Sequence, residues 1–186
     1  MTEEDLRQRI AYHEAGHAVL SWTYGLNFEK VHILSDKECS GKVSLGDWPD
    51  WDRDFVLATA KTLLAGEAAT EILTGVPVDW DEHFDVRGSD IDVFIHRVLS
   101  LGWYENDADG FMDYSAALTQ CFSEVRSLLE ERWPAVEALA CALLDRGALS
   151  GEEAVDLMAS APGPGPVARL SADFEEEQEE EKRRFG

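Results

Sequence analysis

The sequence predicts a mainly α-helical domain with a small β-hairpin or short sheet beside its first helix. Apolar residues recur at spacings of three and four over most of the chain, which is the period of amphipathic helices. Only residues 29–45 alternate between apolar and polar positions, as a β-strand does. The length of 186 residues suits one domain. We expect this domain to occupy residues 1–160, followed by a linker and an acidic, disordered tail over residues 161–186.

The first helix has a clear beginning, face and end. Thr2 is a good N-cap, and the acidic residues that follow it favour the positive end of the helix dipole. Gly25 is expected to end the helix. One stripe of side chains recurs at helical spacing and should face the core: Leu6, Ile10, His13, His17, Leu20 and Tyr24. Two histidines on a core-facing stripe suit an enclosed site.

A pair of short strands and a second helix should follow. Val31 and Ile33 alternate with polar residues, as do Val43 and Leu45, so a β-hairpin or two short strands are expected. The sequence Trp48-Pro49-Asp50 interrupts this pattern.

The second helix is predicted as one continuous segment from Asp52 to Thr74, ending at Gly75. Small side chains dominate residues 64–69, so another helix can approach closely there. Gly16 costs the first helix about 1 kcal/mol relative to alanine. A close contact between these two small-residue segments would explain both.

The rest of the domain is predicted to consist of one loop and four helices. Ser150 and Glu153 have capping-box spacing at the start of the last helix. The predicted segments are a loop over residues 76–88, helices over 89–102, 113–132, 134–146 and 150–160, and a linker over 162–166.

Composition excludes several classes of function. The net charge is −22, and residues 171–186 hold seven acidic and three basic residues. Such a chain repels phosphate backbones and anionic lipid, so nucleic-acid and membrane-surface partners are not expected. No apolar run is long enough to cross a membrane, and no signal peptide is evident at the N-terminus. The cysteines (Cys39, Cys121 and Cys141) are odd in number and widely spaced, which fits a reducing, cytoplasmic location.

The chemistry of the chain centres on residues 13–17, which have the HExxH pattern. On a helix, His13 and His17 lie one above the other and can bind one metal ion. Glu14 then lies beside the ion, where a general base for a zinc-bound water belongs. The alternative is a pair of hydrogen-bonded core histidines that bind no metal.

A catalytic zinc needs a third protein ligand and an open position. The downstream candidates are Glu38, Glu67, His83 and Asp90. His83 is attractive because imidazole is a good zinc ligand, but spacing does not decide among the four.

Five landmarks in order resemble the peptidase domain of the FtsH family of ATP-dependent zinc proteases. The five landmarks are residues 11–19, 31–43, 64–71, 88–91 and 142–153, the first of which corresponds to the active-site helix and the last to the C-terminal helices. Together they span about residues 10–158. The resemblance implies that His13, His17 and Asp90 bind zinc and that Glu14 is the catalytic base. His32, His83 and His96 then have no assigned role.

The chain departs from the family pattern in two ways. FtsH proteases carry a membrane anchor and an AAA+ ATPase, and this sequence contains no Walker motif. Glu67 also stands where the family usually has arginine. We therefore expect a zinc-dependent, ATP-independent endopeptidase that acts on peptides or unfolded protein segments, with homo-oligomers possible. The alternatives are a zinc-binding interaction module without proteolysis and a helical domain without a metal.

Overall fold

The computed structural model describes residues 2–33, 41–45, 53–80, 89–102, 105–106 and 112–166. Within these ranges, seven helices form most of the structure. They are α1 (Glu3–Thr23), α2 (Arg53–Leu63), α3 (Ala65–Thr74), α4 (Asp90–Ser100), α5 (Ser115–Glu131), α6 (Trp133–Arg146) and α7 (Gly151–Ser160). The predicted fold class, mainly helical with a small antiparallel sheet, is confirmed.

A three-stranded sheet lies beside α1, and its central strand pairs antiparallel with both of the others. Its strands are β1 (Phe28–Ile33), β2 (Gly41–Leu45) and β5 (Ala148–Ser150). Val31 of β1 stands opposite Val43 on one side and Leu149 on the other. The hairpin was predicted, whereas β5 was not, because three residues are too few to show an alternating pattern.

A second, very short hairpin pairs β3 (Glu105–Asn106) with β4 (Met112–Asp113). Strands of two residues are too short to show an alternating pattern, so this hairpin was not predicted.

Helix α1 is the centre of the fold and packs against α3, α6 and β1. It begins with a capping box in which Thr2 and Asp5 bond reciprocally to each other's backbone N–H groups. From Ala11 onwards nearly every residue up to Thr23 is buried. Both halves of the HExxH motif therefore lie in the enclosed part of the helix.

The predicted second helix is wrong in one respect: it is two helices that meet at Leu64. At the junction the Leu64 N–H bonds to the Lys61 carbonyl three residues back, which tightens the turn. The backbone carbonyl of Thr62, near the end of α2, accepts a hydrogen bond from the side chain of His17. A contact between distant segments thus accompanies the break, and helical periodicity does not reveal it.

Close packing of α1 on α3 depends on Gly16, as predicted. A Cβ atom at this position would collide with the backbone carbonyl of Ala65 and would lie 2.8 Å from the Cβ of Ala69. The two helix backbones therefore approach more closely than any residue with a side chain would allow.

The opposite side of α1 packs against α6 through larger groups. The ring of Tyr12 stacks on Trp133 with centroids 5.6 Å apart, and Arg7 Nη2 donates to the Leu144 carbonyl at 2.7 Å. Leu139 and Leu143 of α6 are fully buried in the same core. A capping box at Ser150 and Glu153, also predicted, begins α7.

Several sequence features lie outside the described residues: Glu38, Cys39, Trp48-Pro49-Asp50, His83 and the tail beyond residue 166. Among the residues that are described, no helix combines the length and apolar character needed to span a bilayer. Cys121 is buried and Cys141 is exposed.

Candidate metal centre

Three side chains from two helices converge at one point. His13 and His17 project from α1, and Asp90 is the first residue of α4. The Nε2 atoms of the two histidines are 3.0 Å apart. An oxygen of Asp90 lies 3.1 Å from Nε2 of His17 and 3.6 Å from Nε2 of His13. In the described part of the chain, these residues form the one group of three or more potential ligands.

His17 is held by burial and by a hydrogen bond. Its side chain is buried, and its Nδ1 atom lies 2.7 Å from the carbonyl oxygen of Thr62. Because a carbonyl only accepts hydrogen bonds, Nδ1 carries the proton in this contact. In the neutral ring the lone pair is then on Nε2, which points towards Asp90 and His13. The turn at the α2–α3 junction thus sets both the tautomer and the direction of this ligand.

His13 is held by close contact with α3. A Cβ atom at Gly66 would overlap the imidazole ring of His13, with Cδ2 only 2.6 Å away. The two imidazoles meet edge to face, with centroids 4.7 Å apart. The side chain of His13 keeps 25% of its surface exposed, so this side of the centre opens towards solvent.

Asp90 is placed by the start of α4. Ser89 is the N-cap, and its hydroxyl accepts a hydrogen bond from the Asp92 N–H at 3.2 Å. Burial raises the pKa of Asp90, but hydrogen bonds from His13 and His17 and their charges outweigh it and hold that pKa far below its usual value. The carboxylate is therefore ionised.

The same interaction affects His17. Burial lowers its pKa, yet the hydrogen bond and charge of Asp90, with further contributions from Glu14 and Thr62, raise that pKa to about 9. Without a metal, these shifts favour a protonated His17 paired with an ionised Asp90. A metal ion bound at Nε2 of His17 would take the place of this proton.

Glu14 follows His13 on α1 and is 5% exposed. Burial raises the pKa of its carboxyl group, and the nearby histidines, His17 and then His13, lower it in part. Asp90 also acts on Glu14 electrostatically. A buried carboxyl group next to His13 in sequence thus interacts electrostatically with all three residues of the group without belonging to it.

The geometry fits a small divalent ion. Zinc bonds to histidine nitrogen and carboxylate oxygen are about 2.0–2.1 Å long, so a tetrahedral ion holds its donor atoms about 3.3 Å apart. The three separations observed here, 3.0, 3.1 and 3.6 Å, bracket that value. Two imidazoles and one carboxylate also leave a fourth position for water or substrate.

The structure brings together the three residues that were predicted to bind the metal. The other candidate side chains that the structure describes lie outside this group. Glu67 lies beside His13, with 3.9 Å between its Oε1 and Nδ1, outside the group of three. His96 is 73% exposed and faces Asp92 at 3.7 Å. His32 lies on β1 opposite Lys42 and Ala148.

Two supporting groups were not predicted. The Thr62 carbonyl has no sequence signal, because every residue has a carbonyl group. Gly66 did carry a signal, as a glycine inside a predicted helix, but its contact with His13 did not follow from the sequence. The chain matches no known protein-family model.

Proposed function

We propose that the protein is a zinc-dependent endopeptidase related to the FtsH peptidase domain, acting on peptides and unfolded segments. The observation that carries the proposal is that the donor atoms of His13, His17 and Asp90 converge at the separations that one shared metal ion requires. The buried carboxyl group of Glu14 interacts electrostatically with all three. A purely structural metal site has no need of a second carboxylate that does not bind the metal.

The donor set and the base support zinc and hydrolysis together. Two imidazoles and a carboxylate with an open position are typical of catalytic zinc. The same set also suits ferrous iron. Glu14 favours hydrolysis, because a reaction that adds water across an amide needs a base for its proton.

His13, His17 and Asp90 would hold the ion. When bound, zinc supplies a Lewis acid that lowers the pKa of a water ligand and polarises a carbonyl group. Glu14 takes the proton from the attacking water and delivers it to the nitrogen of the leaving amine. Hydrogen bonding to Thr62 keeps His17 in the required tautomer throughout.

The substrate is proposed to bind as an extended strand. In the described part of the sheet, β2 pairs only with β1, so its other edge can accept main-chain hydrogen bonds. Because β2 also contacts α1, a peptide on this edge would run close to the helix that carries the metal ligands.

The decisive experiment measures metal content and cleavage together. Purified protein is analysed for zinc and iron, and cleavage of an unstructured protein is followed without ATP. We expect about one zinc per chain, and Glu14→Gln should lower the cleavage rate by roughly 10²–10⁴-fold while retaining zinc. Glu4→Gln, at the exposed start of α1, is the matched control.

The other outcomes separate the alternatives. Bound zinc without Glu14-dependent cleavage would favour a non-proteolytic, zinc-binding interaction module. Absence of zinc in the purified protein and after reconstitution would rule out both zinc proposals.

A second test concerns the third ligand. Asp90→Ala should weaken zinc binding, since Asp90 supplies one of the three converging atoms. Asp92→Ala should not, because the Asp92 side chain faces the exposed His96. The reverse result would show that the assignment of the third ligand is wrong.

A further inference from the structure

We propose that Glu67 is a positioning residue that orients the imidazole of His13 for metal binding. The inference rests on the proposed metal centre and goes beyond it, because Glu67 is not a ligand. In this arrangement α2 and α3 would provide an acceptor for the outer nitrogen of each ligand histidine.

The two histidines of the cluster differ in how their Nδ1 atoms are bound. His17 binds through Nε2 because the Thr62 carbonyl occupies its Nδ1 at 2.7 Å. His13 also directs Nε2 into the cluster, 3.0 Å from that of His17. To bind a metal through Nε2, a neutral His13 must carry its proton on Nδ1. Histidine ligands in proteins almost always donate that second N–H group to an acceptor.

Glu67 is in position to be that acceptor. Its Oε1 lies 3.9 Å from Nδ1 of His13, and its side chain is only 18% exposed. The distance exceeds a direct hydrogen bond, which requires about 3.2 Å or less. A small change of side-chain torsion or one bridging water closes the gap.

The position of Glu67 along α3 strengthens the assignment. The preceding residue, Gly66, is the surface on which the His13 ring lies. Gly66 therefore sets the position of the His13 ring because it has no side chain. The neighbouring carboxylate of Glu67 would set the orientation of the same ring. In the FtsH family, which the sequence resembles, this position is usually arginine. An arginine guanidinium only donates hydrogen bonds and could not accept one from Nδ1. The proposed role is thus a property of this chain.

The test measures zinc affinity in the full chain by competition with a chromophoric chelator. Glu67→Ala should weaken zinc binding about 10–100-fold, the usual cost of removing such a supporting group. Glu67→Gln keeps an oxygen that accepts the Nδ1–H bond, so it should restore most of the affinity. Asp92→Asn is the control for loss of a nearby charge and should bind zinc like the wild type.

Cobalt substitution gives a second readout. The visible absorption of bound Co²⁺ reports ligand geometry, so Glu67→Ala should change the spectrum and Glu67→Gln should preserve it. Thermal unfolding of each apo variant checks that the fold is intact.

Each possible result decides the proposal. Wild-type affinity in Glu67→Ala would overturn this inference while leaving the metal centre standing. An equal loss in Glu67→Ala and Glu67→Gln would assign the effect to charge and would also overturn it. A wild-type protein that binds no zinc would overturn both this inference and the proposed function.

Discussion

The two sides of α1 are packed in opposite ways. Towards α2 and α3, the helix presents Gly16 and the two histidines, and the backbones approach closely. Towards α6, it presents Tyr12, whose ring stacks on Trp133. One side combines a glycine with the two histidines in close backbone contact, whereas the other relies on a large aromatic side chain.

The difference shows how the two sides serve different needs. A metal centre needs ligand atoms placed within a few tenths of an ångström, and close backbone contact restricts how far a ring can move. The α6 side contributes apolar burial, which stabilises the fold in proportion to area and tolerates small shifts. Substitutions on the α2–α3 side of α1 should therefore weaken metal binding, whereas substitutions on the α6 side should lower only the free energy of unfolding.

The largest expected effect is on stability and comes from the α6 side. Leu143→Ala removes a fully buried side chain and should lower the free energy of unfolding by about 2–5 kcal/mol. Zinc affinity of the folded protein should not change. Urea denaturation monitored by circular dichroism measures the loss, and Leu144→Ala, at a partly buried neighbour, should cost clearly less. A weaker zinc affinity in Leu143→Ala would contradict the separation of the two sides.

Gly16→Ala should damage both stability and metal binding. The added methyl group meets the Ala65 backbone, which moves only if α3 moves. We expect an overpacking cost of about 1–3 kcal/mol, which outweighs the ~1 kcal/mol gained in helix propensity. Chemical denaturation and chelator competition measure the two effects. Gly165→Ala is a matched control because a Cβ atom there meets nothing; equal stability of the two variants would show that the helices are not in close contact.

Gly66→Ala should have the smallest effect on stability and a selective effect on the metal. Its methyl group meets the His13 ring, a side chain that can rotate away, so the unfolding free energy of the apo protein should change by no more than about 1 kcal/mol. The displaced ring should weaken zinc binding about 10–100-fold. Unchanged zinc affinity would mean that the contact with α3 does not position His13.

Local features of the fold followed from the sequence because they depend on nearby residues. The N-cap at Thr2 and the capping box at Ser150 were predicted from residues within one helical turn. The reciprocal bond to Asp5 that completes a capping box at Thr2 was not predicted. The β1–β2 hairpin followed from alternation. The break at Leu64 did not, since the hydrogen bond that accompanies it comes from His17, 45 residues away.

The HExxH spacing alone placed His13 and His17 on one helix face with Glu14 next to them, because helical geometry fixes the relation of residues one turn apart. The sequence also left four carboxylate or histidine candidates for the third ligand, and a resemblance to a family was needed to favour Asp90. Only the tertiary structure brings Asp90 to within 3.1 Å of His17. It also supplies the Thr62 carbonyl and the Gly66 surface. Contacts of this kind depend on how helices distant in sequence pack together, and spacing along the chain does not encode that packing.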